Sequence, residues 1–441
     1  MNQGNALLEA FDLFKKSRYL RSREVCESIL KRNPDNISAI HLMGKCEVQL
    51  GHLEKGLIHL QKIAEIAPDN AQLMLEIGNI FRLCKQHNQA VQFLGRALDL
   101  GAQKHTCYLQ LGFAYKELSE NNEAATCFVN ALKLNPSCWD SARNLGEIYL
   151  ARGLPAQAKG IIHKYLEIQP NNPHAHSELA KIHLALSNPD AALKACEDSL
   201  KAEPAYTRGF ALKCVALAEL DRRDELSYLF DTEKLVQRIH GKCPASFKSM
   251  GQFCKYLARH ILNHPNLAKN RGDYLGAING YHTGYEVLFK TNRELGAKVE
   301  KMICSAVDEY IFRLSAIDPN HPIHTSRPTS YRVKSWAVVT TFSGYAAPHI
   351  HPKSWVGGAF YVQLPEDFKS QATEKAGWIE FGRGEAGMHK LRNPITVSYE
   401  PVVGDFIMFP GYFWHSTVPL ESTQKRICMA FDLEPINGWG K

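Results

Sequence analysis

The sequence predicts a multidomain α + β protein, a solenoid of stacked helical hairpins followed by a small antiparallel barrel or jelly roll. Three observations carry that prediction. Prolines recur every 34 residues through the first half of the chain. After residue 327 the texture changes to short β-branched and aromatic runs separated by Gly and Pro. Among those runs stand His349 and His351, a distant His415 and, eleven residues beyond it, Arg426.

The bulk properties set bounds. At 441 residues the chain has room for two or three domains, and 45% hydrophobic with 22% charged residues is ordinary for a globular protein. No apolar run is long enough to span a bilayer, and the opening MNQGNALLEAFDLFKK lacks the basic-then-apolar layout of a secretory signal, so no membrane partner and a cytoplasmic location are expected. Twelve cysteines without a CxxC spacing argue against a disulfide framework or a thiolate zinc site. A net charge of +7 with no Lys/Arg block longer than two predicts no nucleic-acid partner, while an acidic peptide stays open.

The helical part spans 1–240. Pro34, Pro68, Pro136, Pro170 and Pro204 share one grid, Gly44, Gly78, Gly112 and Gly146 a second, and Ala90, Ala124, Ala158 and Ala192 a third. These grids resemble the tetratricopeptide repeat, in which a small residue lets paired helices pack closely and proline marks the turn into the next unit. Such hairpins bury their apolar faces only by stacking. Residues 3–36 form a weaker first repeat, 37–206 five clear ones, and 207–240 a terminal one without the proline.

Such an array presents a groove lined by the first helix of each repeat. Here the lining includes Lys45, Asn79, Arg82, Lys116, Arg143, Glu147, His174 and Lys181, a mostly basic set suited to an acidic or C-terminal peptide. The alternative is a set of ordinary solvated helix faces.

Residues 241–327 read as a helical lead-in. A short amphipathic helix is expected near 249–262, an interruption over 270–289, and a long amphipathic helix over 286–315. The Pro- and Asn-rich loop that follows holds His321 and His324, expected to be solvated turn residues rather than ligands.

Residues 328–441 contain seven or eight candidate strands with frequent turn signals. On a strand, residues i and i+2 point the same way, so His349 and His351 face one side. Pro348 and Pro352 are expected to limit strand pairing around them. With His415 on a returning strand, three imidazoles on one face leave open positions on a transition metal.

The segments HIHPKSWVGGAFYVQLPE, GWIEFG and VVGDFIMFPGYFWHSTVPLESTQKRICMAFDL resemble the iron(II)- and 2-oxoglutarate-dependent oxygenases of the double-stranded β-helix type. That family carries H-x-(D/E/H), a distal His and an arginine about ten residues on. The resemblance implies that His349, His351 and His415 hold Fe(II), and that Arg426 pairs with the distal carboxylate of 2-oxoglutarate, a role suited to a planar charged fork. Cys428 stands where the family often has serine, and Tyr361 is a further candidate donor to the cosubstrate, with a packed barrel aromatic as its alternative. His351 replaces the usual carboxylate and leaves the site one charge more positive. The implied reaction consumes O2 and 2-oxoglutarate, releases succinate and carbon dioxide, and hydroxylates a C–H bond.

Because the oxygenase follows a peptide-binding scaffold, a protein or peptide substrate is expected, by analogy of architecture. The alternatives are the same chemistry on a small molecule, with the repeats serving homodimerisation or docking, a cupin-type metalloprotein, and a non-catalytic repeat adaptor. A cupin requires a glutamate four to five residues after the second histidine, where Trp355 and Val356 stand.

Overall fold

The computed structural model describes residues 3–269, 277–284, 288–289, 292–370, 373–384 and 395–436. Of the interrupting segment 270–289, only 277–284 and 288–289 fall within that set. The chain divides into two compact units, Met1–Pro170 and Asn171–Lys441.

The first unit is five helical hairpins, from Gln3–Lys15 paired with Tyr19–Arg32 to Trp139–Ala151 paired with Pro155–Ile168. The glycine grid falls where two helices touch. A methyl group on Gly112 would lie 2.6 Å from the Phe128 ring, whereas one on Gly146 would meet nothing nearer than Ile162 at 3.7 Å. Asparagines two residues past the grid prolines cap the first helices, with the Asn36 and Asn70 side chains accepting from the backbone N–H groups of Ala39 and Leu73. Every hairpin turn carries one left-handed residue: Ser17, Gly51, Lys85, Ser119 and Gly153, again 34 apart. Leu60, Ile77, Leu94 and Phe128 are buried between the hairpins.

The second unit opens with two more hairpins, Pro173–Ala185 with Pro189–Ala202 and Thr207–Glu219 with a shortened Arg223–Leu229. The amphipathic helix Met250–Leu262 and the 22-residue helix Arg293–Leu314 follow. The longer helix buries Leu295, Val299, Met302, Val307 and Tyr310, and Tyr310 donates to the carbonyl of Leu235 at 2.8 Å.

Ten strands follow in chain order: β1 (Gln237–His240), β2 (Ala268–Lys269), β3 (Ile278–His282), β4 (Tyr331–Tyr345), β5 (Val356–Gln363), β6 (Ile379–Phe381), β7 (Val397–Tyr399), β8 (Asp405–Pro410), β9 (His415–Thr417) and β10 (Arg426–Pro435). One antiparallel sheet has the order β1-β8-β5-β10-β4-β3-β2, the other β7-β6-β9. The larger sheet therefore recruits three strands from the stretch that reads as repeats and lead-in. β10 runs along its middle, with Arg426 opposite Thr340, Cys428 opposite Tyr361 and Asp432 opposite Gly357.

His321 and His324 depart from the expected solvated turn. His321 is 1% exposed; its Nδ1 accepts from the Ile323 N–H, and its Nε2 bonds the carbonyl of Tyr228 at 2.9 Å. His324 Nε2 bonds the carbonyl of Leu314 at 3.1 Å. Both histidines fasten a short turn of helix, Pro322–Thr325, to its surroundings.

Candidate metal centre

His349 and His351 lie just ahead of β5, and His415 opens β9. The prolines flanking the pair do not keep it from pairing. The His349 N–H donates to the His415 carbonyl at 2.9 Å, the His415 N–H returns the bond at 3.0 Å, and Thr417 N–H bonds Ala346 O at 3.0 Å. This bridge extends the smaller sheet by one short segment and sets the third imidazole beside the first.

The loop before His415 is fixed from the other side. Tyr412 donates its hydroxyl to the carbonyl of Leu229, Trp414 its indole N–H to that of Ala211, and Phe413 packs on Phe230 at 4.5 Å between ring centroids. These partners lie in or just past the last helical hairpin. Gly411 lies against the Ser354 carbonyl with no room for a Cβ.

The three side-chain donor atoms lie within 4.8 Å of one another. Each ring is oriented through its Nδ1. His349 Nδ1 donates to Ala347 O at 2.7 Å, His415 Nδ1 to Phe413 O at 3.0 Å, and His351 Nδ1 to the carboxylate of Asp432. These partners assign the tautomers and leave every Nε2 with a lone pair. His351 Nε2 and His415 Nε2 are 3.1 Å apart. Two lone pairs at that distance repel unless a cation sits between them, so the donor set fits a divalent metal. Burial, with the neighbouring imidazoles, pushes His349 down to about 4 and His415 well below the ordinary histidine range, which keeps both in the neutral, ligating form. Phe381, Phe409 and Trp336 wall the rings. Among the described residues, no other group of three His, Cys, Asp or Glu side chains is placed to hold a metal.

The imidazoles open into a cavity of about 220 Å³ lined from both sheets. Along its β10 side, Arg426, Cys428, Ala430 and Asp432 alternate onto the lining. Arg426 is 4% exposed, and among the described residues no carboxylate pairs with it. Its guanidinium stands 5.3 Å over the Tyr361 ring and reaches Cys428 Sγ at 3.8 Å. Arg426 Nε, Tyr361 Oη and Thr340 Oγ1 are all buried without a hydrogen-bond partner. Burial pushes the Tyr361 phenol up to about 12, against the pull of Arg426, so it remains an O–H donor. Burial likewise raises the Cys428 thiol, which stays protonated. A buried guanidinium with a free Nε and no carboxylate partner among the described residues, beside two unsatisfied hydroxyls, is suited to an anion with several acceptor oxygens. Sequence reasoning missed Thr340 and Asp432, because each meets its functional neighbours only through strand register.

Trp355, at the cupin glutamate position, is buried and donates its indole N–H to Ile323 O at 2.8 Å, a packing role.

The groove candidates are half-buried apart from the exposed His174, and several are engaged between successive repeats. Lys45 reaches Glu76 at 3.3 Å, Arg82 Nε donates to Gln110 at 3.0 Å, and Lys116 bonds Asn144 and Glu147, each at 2.6 Å. Arg143 also bonds Glu147, at 2.7 Å. Asn79 Oδ1 is buried without a partner, and Lys181 lies on the helix Pro173–Ala185 of the second unit. In that unit His174 bonds the Tyr206 hydroxyl at 2.7 Å.

Residues 334–432 match the family model described as "Putative 2OG-Fe(II) oxygenase", and 117–182 and 149–213 match "Tetratricopeptide repeat". Anaphase-promoting complex subunit 3 of Schizosaccharomyces pombe is 25% identical over 231 residues, 51% of this chain and 33% of that protein. The BBSome complex member bbs-4 of Caenorhabditis elegans is 26% identical over 42% of this chain and 38% of its own. The chain spans about a third of the length of the curated relatives it matches. Among solved structures, the C-terminal part of a repeat protein from Cytophaga hutchinsonii aligns with a TM-score of 0.46 and 16% identity, over 50% of this chain and 91% of that one. YrrB, titled a tetratricopeptide-repeat protein with an unusual peptide-binding site, aligns at 0.36 and 16% identity, over 42% of this chain and 96% of its own.

Proposed function

We propose that this chain, which joins tetratricopeptide repeats to a C-terminal 2OG-Fe(II) oxygenase domain, is an Fe(II)- and 2-oxoglutarate-dependent dioxygenase that hydroxylates a protein or peptide brought to it by the repeats. The carrying observation is the pairing, in one cavity, of three converging Nε2 lone pairs with a buried Arg426 whose Nε is unsatisfied and which has no carboxylate partner among the described residues. When bound, iron(II) and 2-oxoglutarate supply the oxidation of a C–H bond by dioxygen, with release of succinate and carbon dioxide.

The chain's own residues have distinct tasks. His349, His351 and His415 hold the metal, and their Nδ1 partners keep the rings from turning. Arg426 pairs with the distal carboxylate of 2-oxoglutarate, and Thr340 and Tyr361 donate their hydroxyl protons to its remaining lone pairs. Cys428 is a weak hydrogen-bonding group and serves chiefly to fill space beside Arg426. Trp336, Phe381 and Phe409 exclude water from the metal's surroundings. Protein or peptide recruitment is supported by the repeats, a scaffold that mediates such interactions.

The test is to load Fe(II) and 2-oxoglutarate without oxygen and record their charge-transfer band. The native chain is expected to give it, and His415→Ala and Arg426→Ala to lose it; a band unchanged by either substitution removes this reading of the site. Proteins captured by the repeats and then incubated with the loaded chain and oxygen are expected to gain 16 mass units, with equimolar succinate.

A further inference from the structure

We infer that Asp432 completes the metal centre from behind His351, fixing that imidazole in its metal-facing tautomer and supplying the negative charge that three neutral imidazoles lack. This rests on the reading of His349, His351 and His415 as metal ligands.

The three histidines are not held alike. His349 and His415 donate to backbone carbonyls, whereas His351 donates to a carboxylate. Asp432 is buried on the cavity face of β10, and among the described residues no lysine or arginine pairs with it. Lys334, its register partner on β4, binds Glu434 at 2.8 Å. A buried carboxylate without a cation is costly, and among the described residues the ring of His351 is its one ionic partner. The compensating positive charge therefore belongs on the far side of that ring, at Nε2, where the three donor atoms meet.

The opposite strand is cut to fit. Gly357 faces Asp432 across β5, and a methyl group there would lie 3.0 Å from His351 Nδ1 and 3.2 Å from Cε1. The ring rests on bare backbone at the place where its bond to the carboxylate forms. A carboxylate hydrogen-bonded to a ligating imidazole raises the basicity of the opposite nitrogen. The centre thereby regains, one group further out, the charge it loses by carrying histidine in place of a carboxylate ligand. It also makes the cavity bipolar. Asp432 and Arg426, six residues or about 20 Å of extended strand apart, are a buried anion behind the metal position and a buried cation at the other end.

The full-length chain is titrated with Co(II), read by its visible d–d absorption, and with Fe(II) under anaerobic conditions in competition with a chelator. Asp432→Asn keeps an acceptor for Nδ1 and removes only the charge. It is expected to weaken metal binding about 10- to 100-fold and to shift the Co(II) band, with the melting of the metal-free chain little changed. Gly357→Ala keeps the carboxylate but presses the ring away from it, and is expected to weaken binding in the same direction; it decides the matter if Asp432→Asn does not fold. His349→Ala is the control for the ligand set. Native affinity and an unchanged spectrum in both Asp432→Asn and Gly357→Ala, with binding abolished in His349→Ala, overturn the role of Asp432 and leave the ligands standing. No Co(II) or Fe(II) binding by the native chain overturns the ligand reading itself.

Discussion

Arg426 and Thr340 stand opposite each other in register, and both present polar atoms with no partner to the same cavity. A carboxylate that satisfies them gains charge-assisted bonds of about 1.5–3 kcal/mol from the guanidinium and less from the hydroxyl. Arg426→Lys, which loses the planar fork but keeps the charge, is expected to weaken 2-oxoglutarate binding by roughly 10- to 100-fold. Thr340→Val, nearly isosteric, should cost about tenfold or less and leave metal affinity unchanged. Both are read by titrating the anaerobic charge-transfer band, and the ordering of the two losses is the test. Arg426, His349, His351 and His415, which the structure brings to one cavity, stand out in the sequence by their residue types, order and spacing. Thr340 and Asp432 do not, because a threonine or aspartate in a strand carries no signal until register sets it against Arg426 or His351.

Among the elements, the hairpins were readable because each repeats the same packing problem at a fixed interval. The packing is graded, however, in a way a grid of identical glycines hides. Gly112→Ala presses a methyl group into Phe128 and is expected to cost about 1–3 kcal/mol, whereas Gly146→Ala has room and gains helix propensity, for an effect between neutral and about 1 kcal/mol stabilising. Melting the two variants side by side checks this. The left-handed turn grid escaped sequence reading because Ser17, Lys85 and Ser119 stand where glycine would have announced it. Ser119→Gly is expected to raise stability by about 0.5–1 kcal/mol, relief of left-handed strain outweighing glycine's greater freedom when unfolded. The strands β1, β2 and β3 were invisible for another reason: they lie in a stretch read as a terminal repeat and a helical lead-in, and the pairing of β1 with β8, β3 with β4 and β2 with β3 is imposed by the sheet they join.

At the scale of the whole molecule, the boundary between the two compact units falls inside the repeat series, after residue 170. The hairpins after that point share a unit with the barrel, and the last of them holds Tyr412 and Trp414 of the loop that carries His415. A fragment beginning at residue 241 lacks this hairpin and β1, whereas one beginning at 171 keeps both. The longer fragment is expected to bind Co(II) with the affinity of the full chain, the shorter to bind weakly or to be insoluble, as titration and size-exclusion chromatography would report. Metal binding by the shorter fragment at full strength would show that the hairpin is dispensable.

The clamp on residues 411–414 also bears on how such a chain can change over generations. A gain or loss of whole 34-residue units ahead of residue 171 leaves the contacts of Tyr412, Phe413 and Trp414 with Leu229, Phe230 and Ala211 in place, so the number of repeats can change while the loop that carries His415 keeps these supports. The same event between 171 and 229 would place a different hairpin beneath Tyr412 and Trp414 and shift His415 with it. Repeat number is thus a free variable on one side of a fixed point, and a constrained one on the other.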